Sequence, residues 1–156
     1  MPEPLGVPAG KVGPIPREAF STLTGLEILQ RLMAKTLPTS PFAATMHIFP
    51  IQVERELVAL TGEPLHKFLN PLETAHGGWT ATLLDSAMGC AVHSVLGLGQ
   101  AYMTVEMKVS YFKALPLDIL RRAFASSGER SLPPLETRAR EGRESPRGSA
   151  SPPGAA

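Results

Sequence analysis

Residues 70–85 place paired glycines ahead of a lone carboxylate, an arrangement with a definite chemical use. His76-Gly77-Gly78 leads directly into an apolar stretch. The first backbone N–H groups of a helix have no intrahelical partner, they lie at the positive end of the helix dipole, and glycine lets a ligand approach them closely. Such a helix start can stabilise a developing oxyanion. Asp85 then interrupts the apolar stretch, where a carboxylate is costly to bury without a partner.

Each of these residues also has a structural interpretation. The paired glycines alone fit a turn, His76 fits a helix start, and Asp85 fits a hydrogen-bonded structural carboxylate. Trp79 and Met88 share the apolar stretch, and they fit the core. Only the combined spacing favours chemistry.

The cysteine content limits other chemistries. Cys90 is the only cysteine in 156 residues, so no internal disulfide can form, and a reducing compartment is favoured. His93 lies three residues further on, which leaves a cysteine nucleophile open as a weaker alternative. No Cys/His spacing predicts a zinc site, and we expect no metal.

The elements that must position these residues follow from hydrophobic periodicity. A broad apolar stripe predicts a largely buried helix over 80–95, which Gly97 and Gly99 would end. Residues 101–112 alternate between apolar and polar side chains, which predicts a long antiparallel strand with one polar face, including Thr104.

The N-terminal half yields one helix and a strand pair. Thr24 and Glu27 have capping-box spacing, which predicts a helix over 25–35. Phe49, Ile51 and Val53 alternate with polar residues and predict a strand, with 57–60 as its hairpin partner.

The chain divides into three parts. Residues 1–17 are rich in proline and glycine and are interpreted as a flexible leader, and 18–118 form the folded domain. Residues 119–156 contain arginine but no lysine and show no periodicity, although Ile119–Phe124 could add a helical turn. We expect this tail to be disordered, because it cannot bury enough apolar surface.

Charge and hydropathy exclude some partners. The formal net charge is +1 at pH 7, which gives no case for nucleic acid or a membrane surface. No apolar run approaches the roughly 20 residues of a membrane span. The N-terminus lacks the apolar region of a signal peptide, so we expect a cytoplasmic protein.

The string from His76 to Asp85 resembles the signature of PaaI-type hotdog-fold thioesterases, which hydrolyse acyl-CoA thioesters. The resemblance extends back to Asn70 and forward through Thr104–Tyr111. It implies an α+β hotdog fold, in which a curved antiparallel sheet wraps around one long buried helix. It also implies an acyl-CoA substrate, no cofactor, and a homodimer or a dimer of dimers with active sites at the subunit interface.

The resemblance assigns roles residue by residue. Asp85 matches the helix carboxylate that acts as general base or nucleophile, and Gly77 matches the residue whose backbone N–H polarises the thioester carbonyl. Asn70 matches a side chain that helps to hold the thioester, and His76 has a supporting role. Thr104 matches a hydroxyl that the partner subunit contributes and that positions the water. The substrate contacts expected in addition are Gly78, Trp79 and Met88.

Departures from the family pattern leave alternatives open. Glu73 stands where relatives usually have glycine, and the strands that should follow Leu117 are missing. The amino-acid composition after Asp118 is typical of a GC-rich gene that is translated in the wrong reading frame. The chain is therefore either an active thioesterase or a hotdog remnant with a compromised fold, incomplete at its C-terminus. A third option is another hotdog activity, such as acyl-CoA hydration or binding. The acyl group stays open between aryl and medium-chain groups.

Overall fold

The computed structural model describes residues 10–115 and 121–127. Their helices are α1 (Arg17–Thr22), α2 (Gly25–Met33), α3 (Pro41–Met46) and α4 (Gly77–His93). Their strands are β1 (Ile48–Glu54), β2 (Leu57–Gly62) and β3 (Arg121–Ser126), and a short 3-10 turn spans His66–Phe68. The predicted α+β class is confirmed.

The strands form one antiparallel sheet in the order β1-β2-β3. β2 lies in the middle and is buried along its whole length. The predicted hairpin is confirmed, but the register of β1 shifts between Pro50 and Gln52. Ile51 is consequently 42% exposed and does not share the buried face of Phe49 and Val53 as expected.

α4 is the long helix that packs on the sheet, against β2 and β3. Leu83, Ala87 and Ala91 recur at intervals of four, so they share one face of the helix, and all three are buried in the core. The helix begins three residues before the predicted start because the His76 side chain caps it: its Nδ1 accepts a hydrogen bond from the Gly78 N–H at 2.9 Å. Gly77 and Gly78 are thus the first helical residues and not a preceding turn.

α2 begins as its capping box predicts. The Thr24 hydroxyl accepts from the Glu27 N–H, and the Glu27 carboxylate accepts from the Thr24 N–H at 2.7 Å. The Thr24 N–H and the Thr24 hydroxyl both donate to the Glu27 carboxylate, and these two hydrogen bonds hold the pKa of Glu27 below its usual value. Gly25 lies against the His93 carbonyl at the end of α4, where there is no room for a Cβ atom.

The prediction of a strand over 101–112 is wrong for the single chain. These residues run alongside α4 and pair with no strand among the described residues. We call residues 101–115 the covering segment. Alternation specifies which side chains share a face, but a strand also needs a neighbouring edge to bond with, and none of the described residues provides one beside this segment.

The C-terminal prediction is wrong over the residues that form β3. Arg121–Ser126 is neither helical nor disordered, because it pairs with β2 over that strand's full length. Ala123 and Ala125 are buried in the core beside α4. Residues 128–156 of the predicted tail lie outside the described residues, as do 1–9 of the predicted leader. Of the leader's described part, Gly13 donates a backbone hydrogen bond to the Thr39 carbonyl at 2.9 Å.

Candidate active site

Asp85 lies on the face of α4 that the covering segment crosses. The Thr104 hydroxyl donates a hydrogen bond to Asp85 Oδ1 at 3.0 Å. Asp85 is partly buried. A partly exposed carboxylate held at one oxygen is suited to accept a proton from water at the other.

Tyr102 lies beside the same carboxylate. Its hydroxyl occupies the space that a side chain at Gly89 would need, so glycine at that position allows the segment to approach the helix. Burial, followed by the nearby Cys90 thiol and Asp85 carboxylate, raises the pKa of Tyr102 to about 12. Tyr102 therefore stays protonated at neutral pH and keeps a hydrogen atom to donate.

The other end of α4 presents a backbone donor. No hydrogen bond from the Gly77 N–H to any described residue is found, whereas the Gly78 N–H is taken by His76. The Tyr111 hydroxyl donates to the Gly77 carbonyl at 2.9 Å and so holds the covering segment over the helix start. A cavity of about 350 Å³ opens here, lined in part by Gly77, Tyr111 and Lys113.

Asn70 lines the same cavity but uses its side chain to shape its own loop. Its Oδ1 accepts from the backbone N–H groups of Leu72 and Thr74 at 2.9 and 3.2 Å, and its Nδ2 donates to Thr74 Oγ1 at 2.9 Å. Glu73, in the middle of this loop, has a positive φ of 57°, a conformation that glycine would adopt without strain.

The expected substrate contacts are distributed unevenly. Trp79 is 2% exposed and donates from Nε1 to the Met46 carbonyl at 3.0 Å, so the structure places it in the core and away from Asp85. Met88 is 41% exposed and lies one turn beyond Asp85 on α4. Gly78 is exposed at the helix start.

Gly77 and Asp85 do not meet within one chain. Eight residues separate them on α4, and at 1.5 Å per residue this amounts to about 12 Å along the helix axis. A single thioester carbonyl cannot contact both. The site residues form two half-sites: the carboxylate half-site of Asp85, Thr104 and Tyr102, and the amide half-site of Gly77, Asn70 and the cavity beside them.

Residues 72–122 match the family model of the thioesterase superfamily. The matched stretch covers about a third of the chain and includes α4, Asp85 and the covering segment. No curated protein and no solved structure matches the chain. The match, together with an antiparallel sheet packed on one long helix, supports a hotdog fold with three strands among the described residues. It also supports thioester hydrolysis as the general activity.

Two residues of the half-sites were missed at the sequence level, Tyr102 and Tyr111. A signal was present, because they are the only tyrosines in the chain and both lie on the covering segment. Lys113, which lines the cavity at Gly77, was missed as well. An isolated lysine gives no comparable signal.

Other chemistries find little support. Burial raises the pKa of Cys90 to about 11 and lowers that of His93, so at neutral pH the thiol is protonated and a thiolate nucleophile is disfavoured. Within 10–115 and 121–127, no three His, Cys, Asp or Glu residues are grouped as metal ligands would be. Over the same ranges, no helix combines the length and apolar character needed to cross a membrane.

Proposed function

We propose that the protein hydrolyses acyl-CoA thioesters at sites shared between two copies of the chain. Asp85 and Thr104 of one copy face the Gly77 N–H and the Asn70 loop of the other. One observation carries the proposal: α4 presents at its start an amide that no described residue bonds, and a hydrogen-bonded carboxylate eight residues later. The amide can bind the thioester oxygen and the carboxylate can activate water. Only an antiparallel helix of a second copy would bring the two groups together.

In this site the thioester oxygen accepts a hydrogen bond from the Gly77 N–H. Asp85 takes a proton from water as the water oxygen bonds to the carbonyl carbon, and the negative charge moves to the thioester oxygen. The amide and the helix dipole stabilise that charge. The C–S bond then breaks, and the departing CoA thiolate takes the proton from Asp85. Thr104 holds Oδ1, which leaves Oδ2 for the water.

The covering segment is the expected contact between the copies. Met103, Val105 and Phe112 on it are 82%, 92% and 96% exposed, and none of the described strands pairs with it. An exposed unpaired edge of this kind favours antiparallel addition of a second strand. Antiparallel pairing about a twofold axis at Lys108 would set Thr104 opposite the partner's Phe112, the position that lines the cavity beside Gly77. It would so place the carboxylate half-site against the partner's amide half-site.

Release of CoA thiol from a panel of acyl-CoA thioesters tests the proposal. The panel contains acetyl-, octanoyl-, decanoyl- and phenylacetyl-CoA, and the matching oxygen esters serve as controls. We expect thiol release from at least one thioester and much slower cleavage of its oxygen ester. A preparation that melts cooperatively but releases no thiol from any member contradicts the proposed activity.

A second candidate is a hotdog remnant with an incomplete sheet. It is favoured by the three-stranded sheet of the described residues, by the exposed covering segment, and by a family match that ends at residue 122. Such a chain would aggregate or lose fixed packing through its exposed apolar surface. The coding DNA tests this: a second reading frame that begins near the Asp118 codon and encodes alternating strands favours the remnant. Recovery of solubility and turnover in the frame-restored protein would establish it.

A further inference from the structure

A second cavity, of about 270 Å³, lies on another side of α4. It is enclosed by α2, α3 and β1 together with Ser86 and Cys90 of α4. Leu29, Leu32 and Ile48 are among its aliphatic wall residues. None of the residues that line the cavity at Gly77 lines this one.

This cavity adjoins the carboxylate half-site. Ser86 follows Asp85 in the chain, and Tyr102 lines the cavity while its hydroxyl lies against Gly89, one helical turn after Asp85. Tyr102 is therefore the side chain between the cavity and the carboxylate. Cys90, which lines this end of the cavity, is partly buried and packs against the core.

Its volume and lining favour an alkyl chain over a single aromatic ring. A cavity of about 150 Å³ is sufficient for benzene, so one ring would leave much of the space empty. A water-sized group takes up roughly 30 Å³ in a liquid, so the volume of the cavity is sufficient for about nine such groups. Aliphatic walls supply dispersion contacts to methylene groups without demanding a polar partner.

We propose that this cavity receives an unbranched acyl chain of about eight to ten carbons, whose thioester carbonyl lies at Asp85. Tyr102 forms the wall between chain and carbonyl and moves aside as the chain enters. The inference rests on the proposed thioesterase activity and specifies its substrate class as medium-chain aliphatic acyl-CoA.

Non-hydrolysable S-alkyl-CoA thioethers test the cavity without turnover. Their binding to the full chain is measured by calorimetry for butyl, hexyl, octyl, decyl and tetradecyl groups. Each buried methylene contributes about 0.8 kcal/mol, so we expect affinity to rise about fourfold per added carbon and to level off near ten carbons. Affinity that does not depend on chain length overturns the inference.

Two substitutions at Leu32 locate the effect. Leu32→Trp fills the cavity and should weaken decyl-CoA binding at least tenfold while leaving butyl-CoA unchanged, and Leu32→Ala should move the plateau to longer chains. Leu98→Trp is the matched control, because Leu98 is 58% exposed and outside the cavity. If Leu32→Trp fails to melt cooperatively, Leu32→Ala decides alone. An unmoved plateau in the folded Leu32 variants overturns the inference.

The same measurements separate this inference from the proposed function. Chain-length-dependent binding that responds to Leu32, without hydrolysis of any thioester, leaves the cavity assignment standing and removes the activity. Hydrolysis that is equally fast for acetyl-, phenylacetyl- and decanoyl-CoA keeps the activity and removes the cavity assignment. Binding of free decanoate is measured as well. If it binds as tightly as decyl-CoA, the cavity is a fatty-acid site and the acyl-thioester assignment is overturned.

Discussion

The Thr104 hydroxyl donates a hydrogen bond to Asp85 Oδ1 at 3.0 Å, across 19 residues of sequence. This contact links the covering segment to α4 at the candidate general base. The Thr104 hydroxyl holds one oxygen of Asp85 and so fixes the orientation of the carboxylate. Because Thr104 is not part of α4, replacing it should leave the helix intact.

Thr104→Val should therefore lower kcat by roughly 10- to 100-fold, the range that corresponds to losing a hydrogen bond to a charged group, about 1.5–3 kcal/mol. The change keeps the shape of the side chain and removes the donor. Thr104→Ser restores the hydroxyl and should recover most of the rate. Equal rates for the valine and serine variants in steady-state assays would show that the hydrogen bond does not matter for turnover.

The Gly77 amide can be removed without breaking the helix. Proline is favoured at the first position of a helix, and His76 has ψ 136°, within the range that a residue before proline prefers. Gly77→Pro should lower kcat about 10²–10³-fold, as loss of one oxyanion donor does. Gly77→Ala keeps the N–H, and its Cβ meets Tyr111 at an ordinary 3.5 Å, so it should stay active. A fully active proline variant would remove Gly77 from the mechanism.

Mixing two inactive variants tests whether the site is shared. Gly77→Pro and Asp85→Asn subunits that exchange at equal concentrations form mixed dimers with one intact site each. We expect recovery of about a quarter of the unmodified activity for random pairing of a twofold dimer. No recovery, with subunit exchange demonstrated, contradicts the shared site. A monomer in light scattering at micromolar concentration, with activity intact, contradicts the dimer itself.

The sequence predicted α2 and α4 well because both depend on local information. The capping box of Thr24 and Glu27 and the apolar stripe of α4 act within one or two turns, and tertiary contacts reinforce them. The start of α4 was misplaced because histidine is not a typical N-cap, so His76 gave no strong signal.

The covering segment and β3 could not be predicted in the same way, because both depend on distant partners. Alternation over 101–112 is compatible with a strand, but the part of the chain that the structure describes offers no strand edge beside it. In β3, small residues at Ala123 and Ala125 fit beneath α4, and such a weakly apolar run does not stand out from its surroundings. Asn70 was identified from the resemblance, but its bonds to its own loop required coordinates.

The close approach of α2 and α4 at Gly25 should make stability sensitive to a larger residue at that position. A Cβ at position 25 would collide with the His93 carbonyl, so Gly25→Ala should lower the free energy of unfolding by about 1–3 kcal/mol, as overpacking does. Gly13→Ala is the matched control, because nothing lies within 4 Å of its Cβ position. Chemical denaturation of both variants checks this. Equal stability of the two would show that the helices do not approach as described.

The role of Asp85 as the general base of a thioesterase is tested most directly by Asp85→Asn. Asparagine keeps the shape and can still accept the Thr104 hydrogen bond, but it cannot take a proton from water. Thiol release from decanoyl-CoA should fall about 10²–10⁴-fold, as removal of a general base does. Glu18→Gln, the corresponding carboxylate-to-amide change on the exposed α1, should leave the rate unchanged. An Asp85→Asn variant with near-normal turnover would contradict the claim.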